Sequence, residues 1–166
     1  LSAATAADLL EDVPPERAAA FLSEMAVSAA TPIINAMETA EAAAALEEVA
    51  LPKALQILGS LGTLKAAAII GAMTTDTATS IIEELTTEQA TAIMEEVENV
   101  KAGVLLGEVS LETRTAIVQE MAPEKLVERL PEVDPDRLFE VPAEVLFTKL
   151  HQAPAEQLVA ETLPTA

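Results

Sequence analysis

A 12-residue repeat runs through most of this 166-residue chain. The segments that begin at Ala6, Ala18, Ala78 and Ala90 each carry alanine first, two apolar residues fourth and fifth, and another apolar residue eighth. The four starting positions differ by multiples of 12. Apolar residues at i, i+3, i+4 and i+7 are typical of one face of an α-helix. Each unit therefore predicts one short helix.

Helix-start signals lie between the apolar stripes. Thr86 and Gln89 have the form of a capping box, and Ser110 and Asp134 are candidates for the N-cap. Prolines occupy the expected first helical position in three units: Pro15, Pro123 and Pro135. Each helix should therefore cover about 10 or 11 residues, and a helix that short is marginal in water. It must pack against its neighbours, which predicts an all-α fold, an α-solenoid.

The repeat loses its register near the C-terminus. Two segments beginning at Pro142 and Pro154 are again 12 residues apart, but they follow Pro135 out of phase. We therefore predict regular repeats over residues 1–137 and a divergent cap with a tail over residues 138–166, within one continuous domain. Because the chain begins at Leu1, we expect a processed product or an excised fragment, with no signal peptide remaining.

The composition narrows the possible partners. The formal net charge is −19, which argues against nucleic acid and anionic membrane surfaces, since both require a basic face. The absence of cysteine excludes a disulfide framework and a thiolate metal site. Residues 54–75 carry little charge, but the repeat places polar residues of this stretch at exposed positions, so we predict no membrane insertion. Those residues are Gln56, Ser60, Thr63 and Lys65.

Two phrases of the repeat resemble a known family. Residues 9–22, which read LLEDVPPERAAAFL, and residues 81–94, which read IIEELTTEQATAIM, look like repeats of the intracellular N domain of MgtE-type magnesium transporters. Helical segments of the flagellar motor switch protein FliG are a more distant match. The resemblance implies a right-handed superhelix of short helices beside a paired CBS domain, with magnesium held by acidic residues at their interface. It spans about residues 6–137 and assigns no metal ligand here.

An acidic residue recurs at the seventh position of most repeats. Stacking would align these carboxylates along one edge, and Mg²⁺ and Ca²⁺ prefer oxygen ligands. The candidates for weak cation binding are Glu48, Glu84, Glu96 and Glu108. Sixth-position acids precede three of them: Glu47, Glu83 and Glu95. A solvated helix face is the alternative, although the helix dipole disfavours acids near a C-terminus.

The fifth and sixth units form a charge-poor band of small residues. Such a band in an acidic surface indicates a contact patch for a protein partner or for self-association. The alternative is a concave face hidden by superhelical curvature. The candidate contact residues are Leu55, Gln56, Gly59, Gly62, Leu64, Ala68 and Gly71.

No catalytic set can be assembled, and the single histidine, His151, is expected at the surface. We therefore predict a non-enzymatic interaction or regulatory module that needs no cofactor and can respond weakly to Mg²⁺ or Ca²⁺. A self-associating structural or cell-surface scaffold is the alternative. The first function places the chain at the cytoplasmic face of a membrane as part of a transporter, and the second at the cell surface.

Overall fold

The computed structural model describes residues 1–162, and the side-chain surroundings of residues 1–158. These residues form short α-helices and one 3₁₀ turn, which confirms the predicted all-α fold. The helices are α1 (Ala3–Glu11), α2 (Pro15–Glu24), α3 (Val27–Ala36), α4 (Thr39–Glu48), α5 (Leu51–Ser60), α6 (Thr63–Ala72), α7 (Thr75–Glu84), α8 (Thr87–Glu96), α9 (Asn99–Glu108), α10 (Leu111–Glu120), α11 (Pro123–Arg129), α12 (Pro135–Leu138), α13 (Ala143–Gln152) and α14 (Ala155–Thr162). The 3₁₀ turn is Leu130–Glu132.

The helix ends follow the repeat closely. Each of the helices α2 to α10 has 10 residues, as predicted, and the eighth and ninth residues of the unit link it to the next helix. The capping box of Thr86 and Gln89 is present. Ser110 and Asp134 also cap helices with their side chains. Proline stands at the first helical position at Pro15, Pro123 and Pro135.

The prediction that the eighth residue of the unit belongs to the apolar face of the helix is wrong. Met37 and Val97, for example, are C-cap residues with an extended backbone. Both side chains are nevertheless buried, each with 2% of its surface exposed. The extended backbone turns the chain toward the next helix while its side chain stays in the core. In these units the apolar residue at i+7 therefore marks the end of the helix.

The chain divides into two compact units, of which the first is Leu1–Thr77 and the second begins at Ala78, within α7. In the first unit α1 packs on α3, α2 on α4, α3 on α5, and α4 on α6. In the second unit α8 packs on α10, α9 on α11, α10 on α13, and α11 on α14. Alternate helices therefore form two rows within each unit, which is the solenoid-like stacking that the repeat predicts.

The pattern becomes irregular in the second unit after α10. Helix α11 has seven residues and leads into the 3₁₀ turn, and α12 has only four. The division at residue 137 into repeats and a cap stays a prediction, and residues 163–166 of that cap lie outside the described residues. Across residues 1–162, each helix is too short or too polar to cross a membrane.

Candidate functional site

Sixth-position glutamates connect the end of one helix to the start of the helix three places later. Glu11 of α1 accepts a hydrogen bond from the backbone N–H of Glu38, the N-cap of α4, at 2.7 Å. Glu47 of α4 accepts from the N–H of Thr74, just before α7, at 2.7 Å. In the second unit, Glu83 accepts from the N–H of Ser110, and Glu95 from that of Ala122. Every one of these pairs is 27 residues apart.

Twelfth-position lysines make the converse link in the first unit. Lys53 of α5 donates a hydrogen bond to the carbonyl of Met25, the C-cap of α2. Lys65 of α6 donates to the carbonyl of Met37, the C-cap of α3, at 2.7 Å. Both pairs are 28 residues apart. Lys65 is therefore half-buried, whereas the sequence pattern predicted an exposed side chain.

These links explain why acids are retained near helix C-termini. A sixth-position glutamate is unfavourable for the dipole of its own helix, but its carboxylate lies at the positive N-terminus of another. It also satisfies one of the backbone N–H groups that a helix start leaves unpaired. The sequence pattern placed Glu47, Glu83 and Glu95 beside the candidate cation ligands and did not predict these links. An acid followed 27 residues later by an N-cap position is the signal that could have revealed them.

Glu83 forms the most developed of these links. Its carboxylate accepts hydrogen bonds from the backbone N–H and the hydroxyl of Ser110, and from the hydroxyl of Thr113 at 2.6 Å. Partial burial alone would raise the pKa of Glu83. The hydrogen bonds from Thr113 and Ser110, together with the positive charge of Arg114, outweigh burial and hold that pKa below its ordinary value of 4.5.

Substituting Glu83 should therefore produce a pH-dependent loss of stability. We expect Glu83→Ala to lower the free energy of unfolding by about 1–2 kcal/mol at pH 7, as the loss of a helix cap does. Below pH 4.5 the unfolded chain binds a proton at this carboxyl more readily than the folded chain. The stabilisation by Glu83 is therefore complete above that pH and disappears as the pH falls through the lower, folded pKa.

Urea unfolding of the wild type and the variant between pH 7 and pH 3 measures this difference. Glu84→Ala is the matched control, because Glu84 is the adjacent acid and its side chain is exposed. We expect Glu84→Ala to change the free energy of unfolding by less than about 0.5 kcal/mol. Equal losses for both variants, or a Glu83→Ala loss that does not depend on pH, would contradict the role given to Glu83.

Two arginines of the second unit are buried, which the sequence pattern did not predict. Arg114 is only 1% exposed, and its guanidinium donates to the carbonyls of Leu106, Gly107 and Val109 at 2.6, 2.9 and 2.7 Å. Arg129 is 2% exposed and donates in the same way at the end of α8. Its acceptors are the carbonyls of Met94, Glu95 and Val97. Each arginine thus neutralises the negative end of a helix dipole.

The seventh-position acids are all on the surface. Glu48, Glu84, Glu96 and Glu108 are the last residues of α4, α7, α8 and α9, and each side chain is exposed. Glu96 and Glu108 belong to different rows, since α8 packs on α10 and α9 on α11. Among the described residues, no three acidic, histidine or cysteine side chains form a group that could hold a metal ion. Cation binding by these acids stays a prediction.

The candidate contact residues lie in the first unit on two helices. Gln56, Gly59, Gly62, Leu64 and Ala68 are exposed, and Leu55 and Gly71 are half-buried. Because α5 packs on α3 and α6 on α4, the α5 and α6 members belong to different rows of helices. Gly62 is the N-cap of α6. The clearest single face is on α6, where Leu64, Ala68 and Gly71 follow the spacing i, i+4, i+7.

The chain matches one family model, described as the MgtE intracellular N domain. The match consists of three overlapping segments, residues 1–85, 32–106 and 80–161. Searches of curated proteins and of solved structures gave no match. The resemblance predicted from the repeat phrases is therefore confirmed, and the overlapping matches agree with a fold of stacked, similar units.

Proposed function

Because the chain belongs to the family of MgtE intracellular N domains, we propose that it is a non-enzymatic module that regulates a neighbouring protein or domain by binding it. The family description supports an intracellular location for this module. The fold is consistent with this role, since stacked helices present extended surfaces for binding.

The charge-poor band of α5 and α6 is the observation that carries the binding proposal. Lys53 and Lys65 are the only charged residues between Leu51 and Met73, in a chain of net charge −19. Both lysines are half-buried and donate to helix C-cap carbonyls. Leu64 projects from this surface with 70% of its side chain exposed. An exposed apolar patch of this kind is typical of protein contacts.

Divalent cations form the second part of the proposal. The exposed carboxylates of Glu48, Glu84, Glu96 and Glu108 supply the hard oxygen ligands that Mg²⁺ and Ca²⁺ prefer. The resemblance to a magnesium-responsive domain motivates this part. We propose weak binding, at millimolar concentrations, that modulates the contact made through the charge-poor band.

Leu64→Glu tests the contact surface. The resemblance implies a paired CBS domain as the neighbour, so the probe is a purified CBS domain pair from an MgtE-type transporter. We expect isothermal titration in millimolar MgCl₂ to show binding that Leu64→Glu weakens at least about tenfold, since a charge would be buried in an apolar contact. Phe147→Glu is the matched control, because Phe147 is 57% exposed on α13 and lies outside this surface.

The outcome separates regulation from the scaffold alternative. Equal binding by the wild type and Leu64→Glu would contradict the contact surface, and equal binding with and without Mg²⁺ would contradict the cation part. Sedimentation velocity provides the second measurement. Oligomers of the wild type that form without divalent cations and dissociate in Leu64→Glu would favour the self-associating scaffold over the regulatory module.

A further inference from the structure

Two interior helices carry an exposed aliphatic side chain where the repeat most often has an acid. The eleventh position of the unit falls in the first turn of the following helix, and its acids are Glu16, Asp76, Glu88, Glu112 and Glu124. In α6 and α9 the same position holds Leu64 and Val100, which are 70% and 52% exposed. An acid in the first turn is favoured by the helix dipole, and an exposed aliphatic residue is not. Helix stability therefore does not account for Leu64 and Val100.

The exposed faces of α6 and α9 match at equivalent repeat positions. Each has an aliphatic residue, an apolar residue four places later and a glycine at i+7: Leu64, Ala68 and Gly71 on α6, and Val100, Val104 and Gly107 on α9. Val104 is 40% exposed, and residues at i and i+4 are neighbours on a helix surface. The second unit therefore carries its own copy of the apolar pair that the first unit presents on α6.

The charge on α9 also matches that on α6. Lys101 is the only charged residue between Glu98 and Glu108, just as Lys65 is the only charged residue of α6. Helix α8, by contrast, carries three acids among its ten residues. An uncharged aliphatic pair on an otherwise acidic surface is the feature that indicated a protein contact at Leu64. The same feature therefore indicates a contact at Val100.

Both helices lie in the interior of the repeat. Helix α6 packs on α4, and α9 packs on α11 and on the 3₁₀ turn. The helices two places before and two places after α6 and α9 all belong to the described chain. Repeats stacked before α1 or after α14 would not come between these helices and their neighbours. The exposure of Leu64 and Val100 is therefore not that of the end of a stack.

We propose that α9 is a second contact site for the same partner that binds at Leu64, so that one chain binds two copies of that partner. This inference rests on the proposed function. A partner surface complementary to an uncharged aliphatic pair on α6 meets the same pair, at the same spacing, on α9. Valine buries less apolar surface than leucine, so the α9 site is the weaker of the two. A second copy of this chain would bring a like charge of −19, which opposes self-association.

The number of partners bound by the full chain tests the proposal. The probe is the purified CBS domain pair of an MgtE-type transporter, titrated calorimetrically in millimolar MgCl₂. We expect the wild type to bind two of these pairs, and Val100→Glu to bind one with the tighter site unchanged. Leu64→Glu should also bind one, at least about tenfold more weakly than the tighter site of the wild type. The double variant should bind none.

Ser28→Glu is the matched control, because Ser28 is exposed at the same eleventh position on α3. It should leave both sites intact. All these variants should fold, since glutamate is the residue that α2, α8, α10 and α11 carry at this position, and circular dichroism checks this.

Two kinds of failure can be distinguished. A wild type that binds a single CBS pair, or a Val100→Glu variant that binds as the wild type does, would overturn the second site. The contact at Leu64 would still stand if Leu64→Glu weakened binding. A wild type that binds no CBS pair would contradict the proposed function and this inference together. Wild-type dimers that Val100→Glu dissociates in sedimentation velocity would also overturn the inference and would assign this face to a second copy.

Discussion

Replacing Arg114 with alanine is expected to lower the free energy of unfolding by about 3–5 kcal/mol, although alanine is the usual residue at this first position of the repeat. The guanidinium donates to three carbonyls at the end of α9 and, at 3.2 Å, to the carbonyl of Arg137. It also forms an ion pair with Glu140 at 3.6 Å. Alanine would leave buried carbonyls without donors and would open a cavity, so the loss should exceed that of a surface substitution.

Urea unfolding followed by circular dichroism measures this effect. Arg17→Ala is the control, since Arg17 is exposed, and it should change the free energy of unfolding by less than about 0.5 kcal/mol. The loss for Arg114→Lys should lie between the losses for Arg114→Ala and Arg17→Ala. An ammonium keeps the charge, but it lacks the planar guanidinium that reaches several carbonyls at once. A loss for Arg114→Ala no greater than that for Arg17→Ala would show that the buried hydrogen bonds contribute little.

The sequence predicts the helices well because their signals are local. Proline at the first helical position, the Thr86 capping box and the apolar residues of each unit all act within one turn or two of the chain. The stacking also follows from the repeat, since similar short helices can bury their apolar faces only against one another. The error at the eighth position arose because periodicity alone does not distinguish a helical residue from a buried C-cap residue with an extended backbone.

The links between helices were not predicted because they join residues 27 or 28 positions apart. A carboxylate such as Glu47 gains its partner only when α4 lies beside the start of α7. From the sequence alone, the acids appear as one charged stripe. The structure separates that stripe into sixth-position acids, which are half-buried and bonded, and seventh-position acids, which are exposed.

The exposure of the candidate residues could be predicted only in part, because exposure depends on which helices are neighbours. The composition revealed the charge-poor band. The structure adds that its two lysines donate hydrogen bonds to carbonyls at helix C-termini, and that the band spans two rows of helices. The exposure of Phe21 could not be predicted from the repeat, since the same fourth position is buried in α3 and α4. Arg114 had a visible signal, an arginine at a position that is otherwise mostly alanine.

Alanine substitutions at Gly103 and Gly107 of α9 should change the free energy of unfolding in opposite directions. A Cβ atom at Gly103 would lie 2.7 Å from the carbonyl carbon of Glu132 and 2.9 Å from its oxygen, in the 3₁₀ turn that packs on α9. Backbone atoms there cannot move aside as a flexible side chain can. We expect Gly103→Ala to lower the free energy of unfolding by about 1–3 kcal/mol, despite alanine's helix-propensity advantage of about 1 kcal/mol.

At Gly107 the nearest atoms to an added Cβ belong to Asp134, at 3.8 Å, which is an ordinary contact distance. Gly107→Ala should therefore keep the helix-propensity gain and raise the free energy of unfolding by about 0.5–1 kcal/mol. Both glycines are buried in the same helix, so each substitution serves as the control for the other. Equal effects in urea unfolding would mean that the 3₁₀ turn does not press against α9 in solution. Opposite effects would establish that the close approach at Gly103, and not the mere presence of glycine, is what this helix requires.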